Sequence, residues 1–171
     1  MPGAIRRSYE QMRTLLILRH GKAAPEESGT DRDRPLTASG KRAAERVGLT
    51  LLAEHLVPDC VVSSNAERAR DTARRVATAA HFGSTIHELD ELYLAEPEAY
   101  ITALQRFAVG AERALVVGHN PGLEALALLL TTEPVSLPTA GLVVCSLPIA
   151  SFADVSLQVR GKMARFVRPL E

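Results

Sequence analysis

Apolar positions along the chain follow two patterns. Leu15-Leu16-Ile17-Leu18, Cys60-Val61-Val62 and Ala114-Leu115-Val116-Val117 are short unbroken runs, free of Gly and Pro. Such runs predict strands buried on both faces of a parallel sheet. Between them the spacing becomes helical. Ala43, Val47 and Leu51, with Ala44, Gly48 and Leu52 beside them, predict an amphipathic helix to about His55, with Thr37 as N-cap. Ala66, Ala69, Ala73, Val76, Ala77 and Ala80 form the small apolar face of a second helix, capped by Ser64 or Asn65. A third helix is predicted from about Pro97 to Phe107. A fourth carries Leu123, Leu126, Ala127 and Leu130, with Asn120 as N-cap and Pro121 at its first position.

Weaker patterns complete the chain. Ser84 to His87 reads as a short strand, and Leu89 to Leu94 is ambiguous. Gly141 to Leu147 and Val155 to Val159 are strand-like, and Val167 and Arg168 belong to a last strand or a tail. Strands alternating with helices predict an α/β fold, a single-domain three-layer sandwich with a mostly parallel central sheet. Residues 1–11 are polar and aperiodic and read as a loose extension to a domain over 12–171. Met12 stands directly before the first strand and offers an alternative start to Met1.

The polar residues that end the buried strands are the informative ones. Arg19-His20-Gly21 follows the first strand, Arg68 falls in the first turn of the helix after the second, and His119 follows the third. Neighbouring strand ends of a parallel sheet converge on one crevice. Two arginines and two histidines there suit a small dianion, with phosphate the obvious choice. A histidine can serve as base, acid or nucleophile, and Gly21 permits a sharp turn or a close approach. Arg70, Arg74 and Arg75 lie further along the second helix and are expected to face solvent.

Composition narrows the function classes. The 171 residues carry 20 basic and 20 acidic side chains, a formal net charge of 0, which gives no overall pull toward nucleic acid or an acidic membrane. No apolar stretch approaches the length of a membrane span, and no signal-peptide core precedes the first strand, so a cytoplasmic location is expected. Cys60 and Cys145 sit in apolar runs and read as buried hydrophobes. Neither has metal-ligand spacing, and no metal or other cofactor is expected.

Four stretches together resemble the histidine phosphatase superfamily, with its phosphoglycerate-mutase-like fold. Arg19-His20-Gly21 is similar to its RHG signature. Ser63-Ser64-Asn65-Ala66-Glu67-Arg68-Ala69-Arg70-Asp71-Thr72-Ala73 is similar to its serine-to-RA-x-x-TA stretch, and Gly118-His119-Asn120-Pro121-Gly122 to the second-histidine motif of its small members. Asp33-Arg34-Pro35-Leu36-Thr37, with Gly40, resembles the short SixA-like phosphohistidine phosphatase branch. The resemblance runs in order from about Thr14 to Leu130. It implies that His20 is the nucleophile and that Arg19, Arg68 and His119 hold the phosphoryl group. Gly21, Lys22 and Arg34 are expected at the substrate, and Ser63 is expected to steady the loop before Arg68. The wider family uses an acidic residue to protonate the leaving oxygen. Glu91 stands about where it is expected, with Asp90 as its rival and a solvated acidic turn as the other reading.

The chain has little room for a cap over the site. An open site suits a phosphorylated protein, such as a His-containing phosphotransfer domain, or unselective hydrolysis of small phosphomonoesters. A phosphate-binding module without turnover is a third reading, against which all four core residues stand.

Overall fold

Strand β1 (Arg13–Arg19) lies inside a six-stranded sheet, and its four aliphatic residues are fully buried. The computed structural model describes residues 12–27 and 29–169, so the expected extension over 1–11 lies outside the described residues. After β1 the chain forms α1 (Ala38–Ala53), β2 (Cys60–Ser64), α2 (Glu67–Ala79), β3 (Ile86–Leu89), α3 (Pro97–Phe107), β4 (Arg113–Gly118), α4 (Gly122–Thr131), β5 (Leu142–Leu147) and β6 (Lys162–Val167). The spatial order is β3-β2-β4-β1-β5-β6. The first four strands in that order run parallel, and β5 and β6 add antiparallel at one edge.

Alternation along each buried strand builds two cores. Leu16, Leu18, Val61, Leu115 and Val117 pack on α1 and α2. Leu15, Ile17, Val62, Ala114 and Val116 face the other way, onto α3 and α4. The result is the expected three-layer α/β sandwich. Cys60 and Cys145 are buried free thiols within it.

Several local expectations need correcting. Thr37 caps α1 as read, its Oγ1 accepting from the Gly40 N–H at 3.0 Å. Asn120 does not cap α4, which starts at Gly122; its Nδ2 donates to Glu124 Oε1 and to the Leu137 carbonyl instead. Neither Ser64 nor Asn65 is the residue before α2, although Ser64 Oγ accepts from the Ala66 N–H just ahead of it. Val155 to Val159 forms no strand. A 3-10 turn at Phe152–Asp154 buries Phe152 and Val155 in the core, and the last strand is β6.

The segment between β1 and α1 is more ordered than a plain loop. Ala24 N–H donates to Pro35 O and Thr37 N–H to Lys22 O, both at 2.8 Å. These bonds close its base. A 3-10 turn at Asp31–Asp33 stands above it, with Thr30 and Asp33 bonded to each other. This flap brings a carboxylate over the strand ends.

Candidate active site

Register brings the two histidines together. Arg19 pairs with Gly118 across β1 and β4, so His20 and His119 leave the sheet side by side with ring centroids 5.2 Å apart. On the other side of β4, Ser63 is level with Val117. The chain then turns through Ser64–Ala66 into α2, whose second residue is Arg68.

Gly21 is required by packing. A Cβ there would lie 2.8 Å from the Gly40 carbonyl oxygen, and one on Gly40 would lie 2.2 Å from that of Lys22. The pair lets the first turn of α1 lie directly on the exit from β1. The Gly21 N–H donates to Thr72 Oγ1 at 3.0 Å, and that hydroxyl donates to the Arg68 carbonyl at 2.6 Å. These two bonds hold α2, and hence Arg68, against His20.

The hydrogen bonds define the state of each ring. Arg68 Nε donates to His20 Nε2 at 3.3 Å, so Nε2 carries the lone pair and His20 Nδ1–H donates to the Gly21 carbonyl at 2.7 Å. Burial lowers the His20 pKa to about 4, with the Gly21 carbonyl opposing and Arg68 assisting. His119 is 1% exposed. Its Nε2 lies 2.8 Å from Ser64 Oγ, and its Nδ1 lies 3.5 Å from Arg68 Nη2. Burial, then His20 and Arg68, lower its pKa to about 3. Both rings are therefore neutral at pH 7. The His119 main-chain N–H donates to the Tyr100 hydroxyl, which occupies the space that a side chain at position 118 would need.

The structure brings Arg19, His20, Lys22, Arg34, Arg68 and His119 around one open crevice of about 410 Å³. Arg19 Nη1 donates to the Leu137 carbonyl, and its Nε is buried without a hydrogen-bond partner. Burial pulls the Arg19 guanidinium below its ordinary pKa, with Glu124 opposing. Arg34 donates to the Ala24 carbonyl and to Asp31. Ser63 donates to the Ser64 carbonyl in the loop before Arg68, and Ser64, which carried no expected role at the site, touches His119.

Glu91 does not join them. It is 54% exposed and faces Arg106 of α3 at 3.9 Å. Asp90 pairs with Arg32 at the surface. The carboxylate in the crevice is Asp31, which the sequence reading passed over. Arg68 Nη2 reaches Asp31 Oδ2 at 3.0 Å and Arg68 Nη1 its main-chain oxygen at 2.7 Å. Arg34 and the Tyr93 hydroxyl also donate to the Asp31 carboxylate. The Tyr93 and Arg34 hydrogen bonds, assisted by Arg68, hold its carboxyl well below the usual carboxylate range. Among the described residues, no group of three or more His, Cys, Asp or Glu side chains is placed to hold a metal ion.

This geometry can be set beside known proteins. The model of the histidine phosphatase superfamily (branch 1) matches residues 15–99. An uncharacterized protein of Mycobacterium tuberculosis is 36% identical over 117 residues, 67% of this chain and 70% of its own length. The chain belongs to the histidine phosphatase superfamily. Within it, this histidine phosphatase is of the SixA-like branch. The structure of a candidate phosphohistidine phosphatase SixA from Agrobacterium tumefaciens is 30% identical with a TM-score of 0.77, covering 92% of this chain and 98% of that one. Its counterpart from Nakamurella multipartitia is 29% identical with a TM-score of 0.76, covering 94% and 98%. The fold is shared as well with a protein histidine phosphatase SixA complexed with tungstate, at 23% identity, a TM-score of 0.76 and coverage of 91% and 97%. The chain is thus a phosphatase, and no described helix is long and apolar enough to cross a membrane.

Proposed function

We propose that this phosphatase removes phosphoryl groups from histidine on proteins, through a covalent phosphohistidine at His20 and without a metal. The observation that carries the reading is the hydrogen bonding of the crevice. His20 Nε2 carries its lone pair, directed at Arg68 Nε, and the crevice carboxylate, Asp31, accepts from Tyr93, Arg34 and Arg68, which hold it deprotonated. A nucleophile is ready, but the crevice carboxylate holds no proton for a leaving group.

That combination favours a good leaving group. A phosphoimidazole protonated on its other ring nitrogen leaves as neutral imidazole, whose conjugate acid has a pKa of about 6.5. An alkoxide is far more basic and needs a positioned acid. In the first displacement His20 Nε2 forms a bond to phosphorus as the substrate P–N bond breaks, and Arg68 and Arg19 offset charge on the equatorial oxygens, with the neutral His119 ring beside Arg68 Nη2. Water then attacks the same phosphorus, the bond to His20 breaks, and inorganic phosphate leaves with His20 restored. The cations that a metal would otherwise supply are arginines here.

Kinetics on a phosphohistidine peptide and on a panel of alkyl and aryl phosphomonoesters, in chelator, test the reading. The expected result is kcat/KM at least about tenfold higher for the phosphohistidine peptide, with activity unchanged by EDTA and inhibited by vanadate or tungstate. Preference for alkyl esters would overturn the substrate. Loss of activity in EDTA, restored by a divalent ion, would overturn the metal-free route.

A further inference from the structure

Beside the catalytic crevice lies a second, larger concavity. It has a volume of about 770 Å³ and runs between the first turns of α1 and the end of β6. Lys22, Arg42, Arg46 and Arg168 line it, and among the described residues no carboxylate does. All four cations are exposed. Arg42 and Arg46 are one turn apart on α1 and share a face. The chain as a whole carries 20 basic and 20 acidic side chains, so this clustering is a segregation of charge and not an excess. Lys22 and Thr139 line both this groove and the crevice that holds His20. The groove then continues along α1 past Leu49, an exposed leucine, toward the Arg165–Glu54 ion pair.

We propose that this groove docks an acidic surface of the phosphorylated protein, beside the side chain being dephosphorylated. The proposal rests on the protein-substrate reading above and adds the charge of the partner. Continuity with the crevice means that an occupant of the groove and the phosphoryl group can belong to one molecule. Exposed cations on long stems, spread over three chain segments, do not converge on a point as a buried phosphate subsite would. They suit several carboxylates spread over a surface, with a gain in encounter rate and orientation that salt screens. The groove lining has no aromatic side chain for a nucleobase to stack on, which favours a protein over single-stranded RNA.

The test uses synthetic peptides with one central phosphohistidine, flanked by glycine and serine in one and by four glutamates in the other. A matching pair carries phosphotyrosine. In about 0.05 M salt, the acidic phosphohistidine peptide is expected to have kcat/KM about tenfold above its neutral partner. In about 0.5 M salt the advantage should vanish. In Arg42→Glu/Arg168→Glu it should vanish or reverse, while turnover of both neutral peptides stays at the wild-type level. Both positions are exposed and outside the crevice. Equal kcat/KM for acidic and neutral peptides, or an advantage that survives the double charge reversal, would overturn the docking proposal. So would a polyuridine 12-mer that competes with the acidic peptide better than polyglutamate does. If neither phosphohistidine peptide is cleaved but the phosphotyrosine pair is, the substrate reading fails; the groove then stands if the acidic phosphotyrosine peptide is preferred and falls if it is not.

Discussion

The crevice and the groove beside it are both cationic, yet they are built in opposite ways. In the crevice, Arg68 is 3% exposed and each of its three nitrogens has a named partner: His20, Asp31 or His119. In the groove the cations are exposed, and Arg168 lies over the Phe166 ring. Burial makes the first set geometrically exact and insensitive to salt, which is what stabilising a transition state needs. Exposure makes the second set adaptable and screened, which suits recognition. The two regions should therefore fail differently when they are altered.

The largest expected effect lies in the crevice. Arg68→Ala removes a donor placed before the reaction begins and leaves Asp31 without its buried partner. Turnover should fall by about 10²-fold or more on every substrate, whatever the salt. Arg74→Ala on the same helix should stay near wild type, because Arg74 is exposed and pairs with Glu88 away from the crevice. Equal damage from both, in steady-state kinetics, would dissolve the contrast between buried and exposed cations.

Next comes the effect of pH on the buried imidazoles. The folded-state pKa values of His20 and His119 lie below the ordinary 6.5, at about 4 and about 3. The unfolded chain therefore takes up protons first, and stability contributed by these groups is lost as pH falls from about 6.5 toward about 4 for His20 and about 3 for His119. An NMR titration of the two rings should show no protonation near pH 6.5. A midpoint there for either would mean the crevice is wetter than its burial implies.

Asp31 gives a smaller effect in a separate window. Its folded pKa is depressed, so its contribution is present above the unfolded value of about 4 and is lost as pH falls through the folded value. The wild type should melt above Asp31→Asn at neutral pH, and the gap should narrow below about pH 4. A gap that persists unchanged into stronger acid would assign the difference to packing and not to charge. Turnover of Asp31→Asn should fall by less than that of Arg68→Ala. Smallest of all, Glu91→Gln should stay within about twofold of wild type, since Glu91 faces Arg106 and not the crevice.

The parallel core was legible because burial on both faces writes itself as unbroken aliphatic runs, and strand ends in such sheets converge. His20, Arg68 and His119 met as that rule implies. Local hydrogen bonding was harder to read. Asn120 has the chemistry of an N-cap, but a longer-range pair of acceptors, Glu124 and Leu137, claims its amide. Asp31 sits in a polar loop with no periodicity, and its importance comes from Arg68, 37 residues away, and Tyr93, 62 away. Glu91 was placed by resemblance alone, and nothing in its neighbours reveals that the 3-10 turn at Asp90–Leu92 buries Leu92 and leaves Glu91 outside. At the C-terminal edge, Val155 alternates like a strand residue but packs under a 3-10 turn, because one buried Phe152 secures the segment without sheet bonding.

The central claim is that His20 is a nucleophile and not a general base. Both roles predict a dead His20→Ala enzyme, so that variant does not separate them. A single-turnover reaction with 32P-labelled substrate, quenched rapidly in alkali and digested, does. The account predicts an acid-labile, alkali-stable phosphoryl group on the peptide containing His20, formed and lost at rates compatible with turnover. No adduct on that peptide, together with inversion of configuration when a chiral phosphoryl group is transferred to an alcohol, would contradict it and make His20 the base of a one-step displacement.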